Sequence, residues 1–496
     1  MKRLSLAFAL LLALSGAGRA QAANVLAPPQ WSSDQVRAAR PLAPSPALVF
    51  EVVHTIQHGK DPARVSHETV TLAESFTLVA SETGDALHDR ALCRELSWTA
   101  PAPTFTSTSC FALPAFRAYE IGNREYLAQG LAKIAPDSAL GRMQPYWYES
   151  ELGLQRRPGD PLTKSRSGET VEYRLDGAVV VRLSGSAATL SADEMQRVVR
   201  YLALNTQLHP QPRRELGDDA SLPARLEITG RLGETPRLET LAIANVRREM
   251  AAYPLPPGLA SHLAEDAAKD DTPMRRAVRQ AILASQGRSA LSRPTQPQLL
   301  AAIDGAVKAG RVTEGLLDFF YWSQLYGGRA RTQGAGAATL ATLRAEIAAI
   351  PKDPEASRLW EANNLAGDSK APGDRQAAAR FLATAHLDGL PFGTFRYITF
   401  ANLVRNSGDT SKWDPAIFSA MPRPLTDGYW RHIAAYPWAS NAYSDVGDVY
   451  LADYNVFDAW LAYDLGRSVD PDWALGVSNN TSQYEDQLRA ALPAFF

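Results

Sequence analysis

After its first 22 residues the sequence has no apolar run long enough to cross a bilayer, no surplus of basic charge, and cysteine at positions 93 and 110 alone. The first lack excludes a transmembrane anchor, which needs roughly 20 consecutive apolar residues. The second argues against nucleic acid as a partner. With Lys2, Arg3 and Arg19 set aside, the 51 Lys and Arg fall to 48 against 53 Asp and Glu, whereas phosphate binding relies on clustered positive charge. No Gly-x-Ser-x-Gly elbow, phosphate-cradling glycine loop or dinucleotide fingerprint is present, so no catalytic residue and no cofactor is assigned.

What opens the chain is a secretory signal. Lys2 and Arg3 form a positive start, Leu4 to Leu14 is apolar, and Ala20-Gln21-Ala22 supplies the small-x-small pattern that signal peptidase accepts. Residues 1–22 therefore read as a cleaved signal peptide, and Gly16, Gly18 and Arg19 end the apolar stretch too early for an anchor. No cysteine follows that would carry a lipid. The expected location is the periplasm or the outside of the cell. In an oxidising compartment the lone pair Cys93 and Cys110 most simply forms an intrachain disulfide. Reactive dithiols usually sit two residues apart at a helix start, and these flank a stretch rich in Pro and Thr.

With 45% hydrophobic residues the chain can bury a large core and divide into two or three domains. Residues 23–45, rich in Pro, Ala and Ser, read as a flexible linker. Residues 46–255 read as an α+β domain with mainly antiparallel sheet. Strand signals run over Ala47–Ile56, Thr69–Ala80, Arg225–Thr229 and Arg237–Val246, and Ser191-Ala192-Asp193-Glu194 is a capping box opening a helix to about Leu204. Val171–Leu175 and Val179–Leu183 alternate as a hairpin. A three-residue loop, Asp176 to Ala178, pairs Tyr173 with Val181 and Glu172 with Arg182, keeping the wet and dry faces apart. Past Pro254-Leu255-Pro256-Pro257-Gly258 the period changes to helical, and residues 256–496 read as an all-α domain of helical hairpins. Its helices are expected at 273–285, 297–309, 313–326, 337–349, 375–387 and 394–405.

One hairpin carries a motif. Tyr443, Val446-Gly447, Tyr450, Ala459, Tyr463 and Pro471 stand at the aromatic, leucine-glycine, tyrosine, small, large aromatic and closing proline positions of a 34-residue helix-turn-helix unit. Residues 440–473 thus resemble the tetratricopeptide repeat. Gly447 and Ala459 would let two backbones approach, and the three tyrosines would fill the space around the crossing. Tyr454 stands where the family turns on glycine, Val456 replaces an aromatic and Gly466 an alanine. A weaker echo at 296–329 places Gly310, Gly315 and Phe319 at the turn, small and aromatic positions. The resemblance implies a concave surface that binds a protein or peptide, lined here by Asn441, Ser444 and Asp448.

Other patterns compete. His54-x-x-x-His58 has a metal-ligand spacing for a helix, but its surroundings read as strand, where positions four apart lie about 13 Å from each other; no metal site is expected. Tyr429 to Trp473 is dense in Trp, Tyr and Asp. These residues read as packing and a wet helix face, or alternatively as the aromatic platform and paired carboxylates of a carbohydrate-active hydrolase or lyase. The reading favoured by the sequence is an exported binding or scaffold protein, with the polymer-acting enzyme second.

Overall fold

A computed structural model describes residues 31–40, 43–99, 104–135, 137, 145–232, 235–330, 353–470 and 481–496. The signal peptide expected at 1–22, the helix expected at 337–349, and Pro471 lie outside these residues. The chain forms two compact units: Gln30–His262 with Glu485–Phe496, and Leu263–Tyr484. The boundary thus falls slightly later than the change of period near 255, and the last twelve residues join the first unit.

The first unit is α+β. Its described helices are α1 (Ser33–Ala38), α2 (Ala112–Ile134), α3 (Pro145–Leu152), α4 (Ala192–Asn205) and α5 (Pro210–Gly217). The strands are β1 (Ser45–His58), β2 (Arg64–Ala73), β3 (Phe76–Ser81), β4 (Gly84–Asp89), β5 (Arg94–Trp98), β6 (Thr104–Ser109), β7 (Thr163–Ser167), β8 (Thr170–Leu175), β9 (Ala178–Ser184), β10 (Ala188–Thr189), β11 (Ser221–Leu222), β12 (Arg225–Leu232), β13 (Thr235–Ala251) and β14 (Ala260–Ser261). Twelve of these make one sheet in the order β14-β6-β5-β4-β3-β2-β1-β13-β12-β9-β8-β7, antiparallel except where β14 runs beside β6. Strands β10 and β11 form a separate ribbon.

Side-chain alternation along the long central strands decides what the sheet buries. Leu48, Phe50 and Val52 of β1, Val70 and Leu72 of β2, and Leu241 and Ile243 of β13 share one core with Met195, Val198, Tyr201 and Leu202 of α4. The Phe50 and Tyr201 rings meet edge to face at 5.8 Å. Helix α4 begins on the expected capping box, with Glu194 N–H donating to Ser191 and the Glu194 carboxylate accepting from Ser191 N–H. A second core joins Ile121, Leu152, Leu154, Ala203 and Leu204 to Leu492 and Phe495, so the chain's last residues close this unit. Full burial of a phenylalanine contributes about 2–3 kcal/mol. Cys93 and Cys110 are disulfide-bonded, with their Cα atoms 5.0 Å apart.

Three expectations are corrected here. Part of the supposed linker is ordered: α1 carries its own capping box from Ser32, and Trp31 and Val36 are buried. The single strand expected over Thr69–Ala80 is the end of β2 and β3 up to its penultimate residue, turned at Glu74-Ser75, with Thr71 paired to Leu78. In the β8–β9 hairpin Tyr173 pairs with Val181 and Glu172 with Arg182, but Arg174 pairs with Val179 and Leu175 with Ala178. Both Asp176 (φ 50°) and Gly177 (φ 81°) are left-handed, the geometry of a two-residue hairpin loop. A bulge beyond Tyr173 then restores the faces.

The second unit is helical. It contains α6 (His262–Lys269), α7 (Pro273–Ser285), α8 (Gln296–Lys308), α9 (Val312–Ala330), α10 (Pro354–Gly367), α11 (Arg375–Thr384), α12 (Phe395–Asn406), α13 (Pro415–Ser419), α14 (Leu425–Ala435), α15 (Ser440–Ala452) and α16 (Val456–Val469). Helix α17 (Thr481–Ala491) follows. Helices α8 and α9 pair across Gly310 (φ 74°), and a Cβ on Gly315 would stand 3.0 Å from Val307. Helix α7 packs on both α14 and α16, and α9 on both α10 and α15. Early and late helices are therefore neighbours, unlike an open solenoid in which each repeat meets only the next.

Candidate functional site

Residues 440–469 form two consecutive helices, α15 and α16, reversed by the turn Asp453–Asn455 and packed along each other. Tyr443 is buried and donates its hydroxyl to the Pro437 carbonyl at 2.9 Å. Ala459 is buried. Tyr450 accepts a hydrogen bond from the Trp430 indole at 2.9 Å. The Tyr463 ring covers Gly447, where a Cβ would come within 2.2 Å of ring carbon Cε1, and its hydroxyl donates to Asp448 at 2.7 Å.

The residues expected on an outward row are not outward. Asn441 is half-buried and Ser444 is buried. Asp448 is only partly exposed and accepts from Tyr463. The reason is packing: α14, α16 and α9 all contact α15, and the Tyr463 hydroxyl of α16 engages Asp448. Asn441, Ser444 and Asp448 therefore make no continuous docking surface.

Asp448 belongs instead to a polar network. Asp445, one turn earlier, interacts with Asn402 and Arg405 of α12, and Asn402 accepts from Tyr429 at 2.7 Å. Burial pushes the Asp445 carboxyl up to about 6, with the Asp448 charge adding to the effect and Arg405 opposing it. Burial likewise raises Asp448, against the Tyr463 hydrogen bond. A carboxyl held near 6 can hold or release a proton near neutrality. The surrounding aromatics are core residues: Tyr429, Trp430, Tyr443, Trp460 and Tyr463 are all at most 1% exposed. They cannot act as a sugar platform.

What α15 and α16 do present is their connecting tip. Asp453, Tyr454, Asn455 and Phe457 are exposed, with Tyr454 and Phe457 at 38% and 46%. Tyr454 adopts φ 60°, the conformation for which the repeat family uses glycine. A bulky residue in that conformation is an uncommon, strained choice. Asp458 accepts from Asn455 at 2.6 Å, tying the tip to the start of α16. The hairpin from Ser440 to Asp470 carries six Asp against one Arg, and that Arg467 is paired with Asp464. Sequence reasoning noticed Tyr454 as a departure from the repeat but did not treat it as a surface.

The two histidines of His54-x-x-x-His58 lie on β1 rather than on a helix. His54 bridges Glu239 at 2.9 Å and Glu68 at 3.2 Å. Burial alone would lower the imidazole, but the two carboxylates outweigh it and push it to about 9. This is a charge-paired histidine and not a neutral metal ligand. Among the described residues no group of three or more His, Cys, Asp or Glu side chains is placed to hold a metal ion, and no helix is long and apolar enough to cross a membrane. Family models, characterised proteins and solved structures give no match to this chain.

Proposed function

We propose that this is an exported protein of the periplasm or the cell exterior that binds a protein or peptide partner through its helical unit. The observation that carries the reading is the exposed aromatic tip between α15 and α16, Tyr454 and Phe457, flanked by Asp453 and Asp458. Large apolar side chains held in water on a rigid support are the usual anchors of an interface. The acidic surroundings select the occupant: a segment that offers an apolar or aromatic side chain beside Lys or Arg. Tetratricopeptide-like packing gives the support its rigidity, and the binding surface moves from the helix face to the turn.

A display of random peptides against the purified mature protein tests this. Enrichment of basic segments with an apolar anchor is expected, with at least a tenfold loss of affinity in the double substitution Tyr454→Ser and Phe457→Ser. Enrichment with no such pattern, or binding unchanged in that variant at an unchanged melting temperature, would refute it.

One observation favours a second reading, a hydrolase or lyase acting on an extracytoplasmic polymer. Asp445 is partly exposed, held near 6, and lies one helical turn from the Asp448 carboxyl. Release of reducing or unsaturated ends from envelope polysaccharides, abolished in Asp445→Asn, would displace the binding reading.

A further inference from the structure

The helix-covered face of the large sheet changes character along its length. At one end it is apolar, with Leu48, Phe50 and Val52 of β1 in the core. Strand alternation carries the same face onward through His54, Ile56 and His58, and cross-strand pairing sets Ile56 beside Arg64 of β2 and Glu239 of β13, and His58 beside Arg237. A continuous apolar face would pack more simply against the helices. Instead a cavity of about 330 Å³ opens here, walled by Ile56, His58, Arg64, Arg124, Arg237 and Glu151, among others. That volume is within the range of small-molecule sites. Gly230 of β12 forms part of the wall, and a Cβ there would meet nothing closer than Glu151 at 3.7 Å. The missing side chain leaves open space.

The charges around this cavity do not cancel. Arg124 holds Glu120 and Glu151, each at 2.8 Å. Arg237 and His54 together hold Glu239 and Glu68. Each nearby carboxylate is thus answered from within the protein. Behind them Arg117 of α2 is buried and donates to the Ala203 and Leu204 carbonyls that end α4. Arg64 is left over: it is exposed on the wall and has no ion pair among the described residues. Its guanidinium presents a planar fork of donors suited to two coplanar oxygens. Ile56 supplies an apolar wall for the rest of a ligand.

We propose that this cavity binds a small organic carboxylate, with the anionic group on Arg64 and its body against Ile56. The site lies in the α+β unit and is independent of the peptide-binding reading. Titration calorimetry of the full mature protein with succinate, glucuronate, L-glutamate and inorganic phosphate tests it. At least one carboxylate should bind with a dissociation constant below about 1 mM. Arg64→Gln should weaken it at least tenfold, and Arg64→Lys should recover part of the loss. Gly230→Leu should abolish it by filling the space, at an unchanged melting temperature. Arg166→Gln, on the exposed strand β7, should change nothing. Binding of phosphate alone, binding of none of the four, or carboxylate binding indifferent to Arg64→Gln would overturn the proposal.

Discussion

The ring of Tyr463 occupies the space that any side chain at residue 447 would need, and its hydroxyl is anchored on Asp448, the residue next to that glycine. One tyrosine thereby fixes both the separation and the register of α15 and α16. Only a residue without Cβ permits this contact.

Gly447→Ala should therefore destabilise the helical unit by about 2 kcal/mol, because overpacking costs roughly 1–3 kcal/mol and exceeds the gain in helix propensity. Gly305→Ala supplies the opposite sign. That glycine also lies within a helix, but its Cβ position is open, so the substitution should stabilise by about 0.5–1 kcal/mol. Thermal unfolding of the two variants checks both directions, and equal shifts would show that the close crossing is misassigned.

His54 makes a pH-dependent contribution with a definite sign. Its folded-state value of about 9 lies above the ordinary 6.5, so the folded protein binds this proton more tightly than the unfolded chain does. The stabilisation is complete below about 6.5 and disappears as pH rises through about 9, amounting to at most about 3 kcal/mol. Denaturant midpoints measured from pH 6 to 10 should fall over that window in the wild type. In His54→Gln the fall should be absent, and the curve should lie below the wild type at pH 6 to 8 and approach it toward pH 10, because Glu68 and Glu239 lose a cation that the wild type itself loses above about 9.

Much of this architecture is legible in the sequence, and the failures have local causes. The capping box at Ser191 and the Pro-led start of α7 at Pro273 use side chains that satisfy or spare orphan N–H groups. They mark helix starts independently of the fold. Helix α2 has no such signal: its first residue follows Phe111, which makes no side-chain cap, and its apolar residues are weakly segregated. The turn at Glu74-Ser75 lacks Gly, Pro, Asn or Asp, so β2 and β3 read as one strand. The candidate binding row failed for a different reason. Periodicity shows which side of a helix is apolar, but the burial of Ser444 and the hold of the α16 residue Tyr463 on Asp448 are tertiary features that no local pattern contains. Arg64, Arg124, Arg237 and Glu151 come from two strands and two helices, and only the fold assembles them.

Phe495 tests the closure of the α+β unit. It is fully buried with Leu492 against Ile121, Leu152 and Leu204, and the Arg117 and Arg213 guanidinium groups lie 5.4 and 5.5 Å from its ring centre. Phe495→Ala should cost about 3–5 kcal/mol. The loss should appear in the transition of the sheet-containing unit, followed by near-ultraviolet circular dichroism. A change confined to the helical unit would contradict the assignment of residues 485–496.

The disulfide permits a simple chemical check. With Cys93 and Cys110 joined and no free cysteine, the non-reduced protein should take up no thiol label. Reduction should lower stability by roughly 3 kcal/mol for a loop of this length. Labelling of either cysteine without reductant would refute the pairing.

Because Glu485–Phe496 complete a unit that begins at Gln30, synthesis order and folding order cannot coincide. The sheet is made first, but its closing aromatic plug is translated only after the roughly 220 residues of the helical unit, a delay on the order of 10–40 s at ordinary ribosome speeds. During that interval Ile121, Leu152 and Leu204 have no permanent cover. A chaperone that shields nascent apolar surface would have its longest opportunity there.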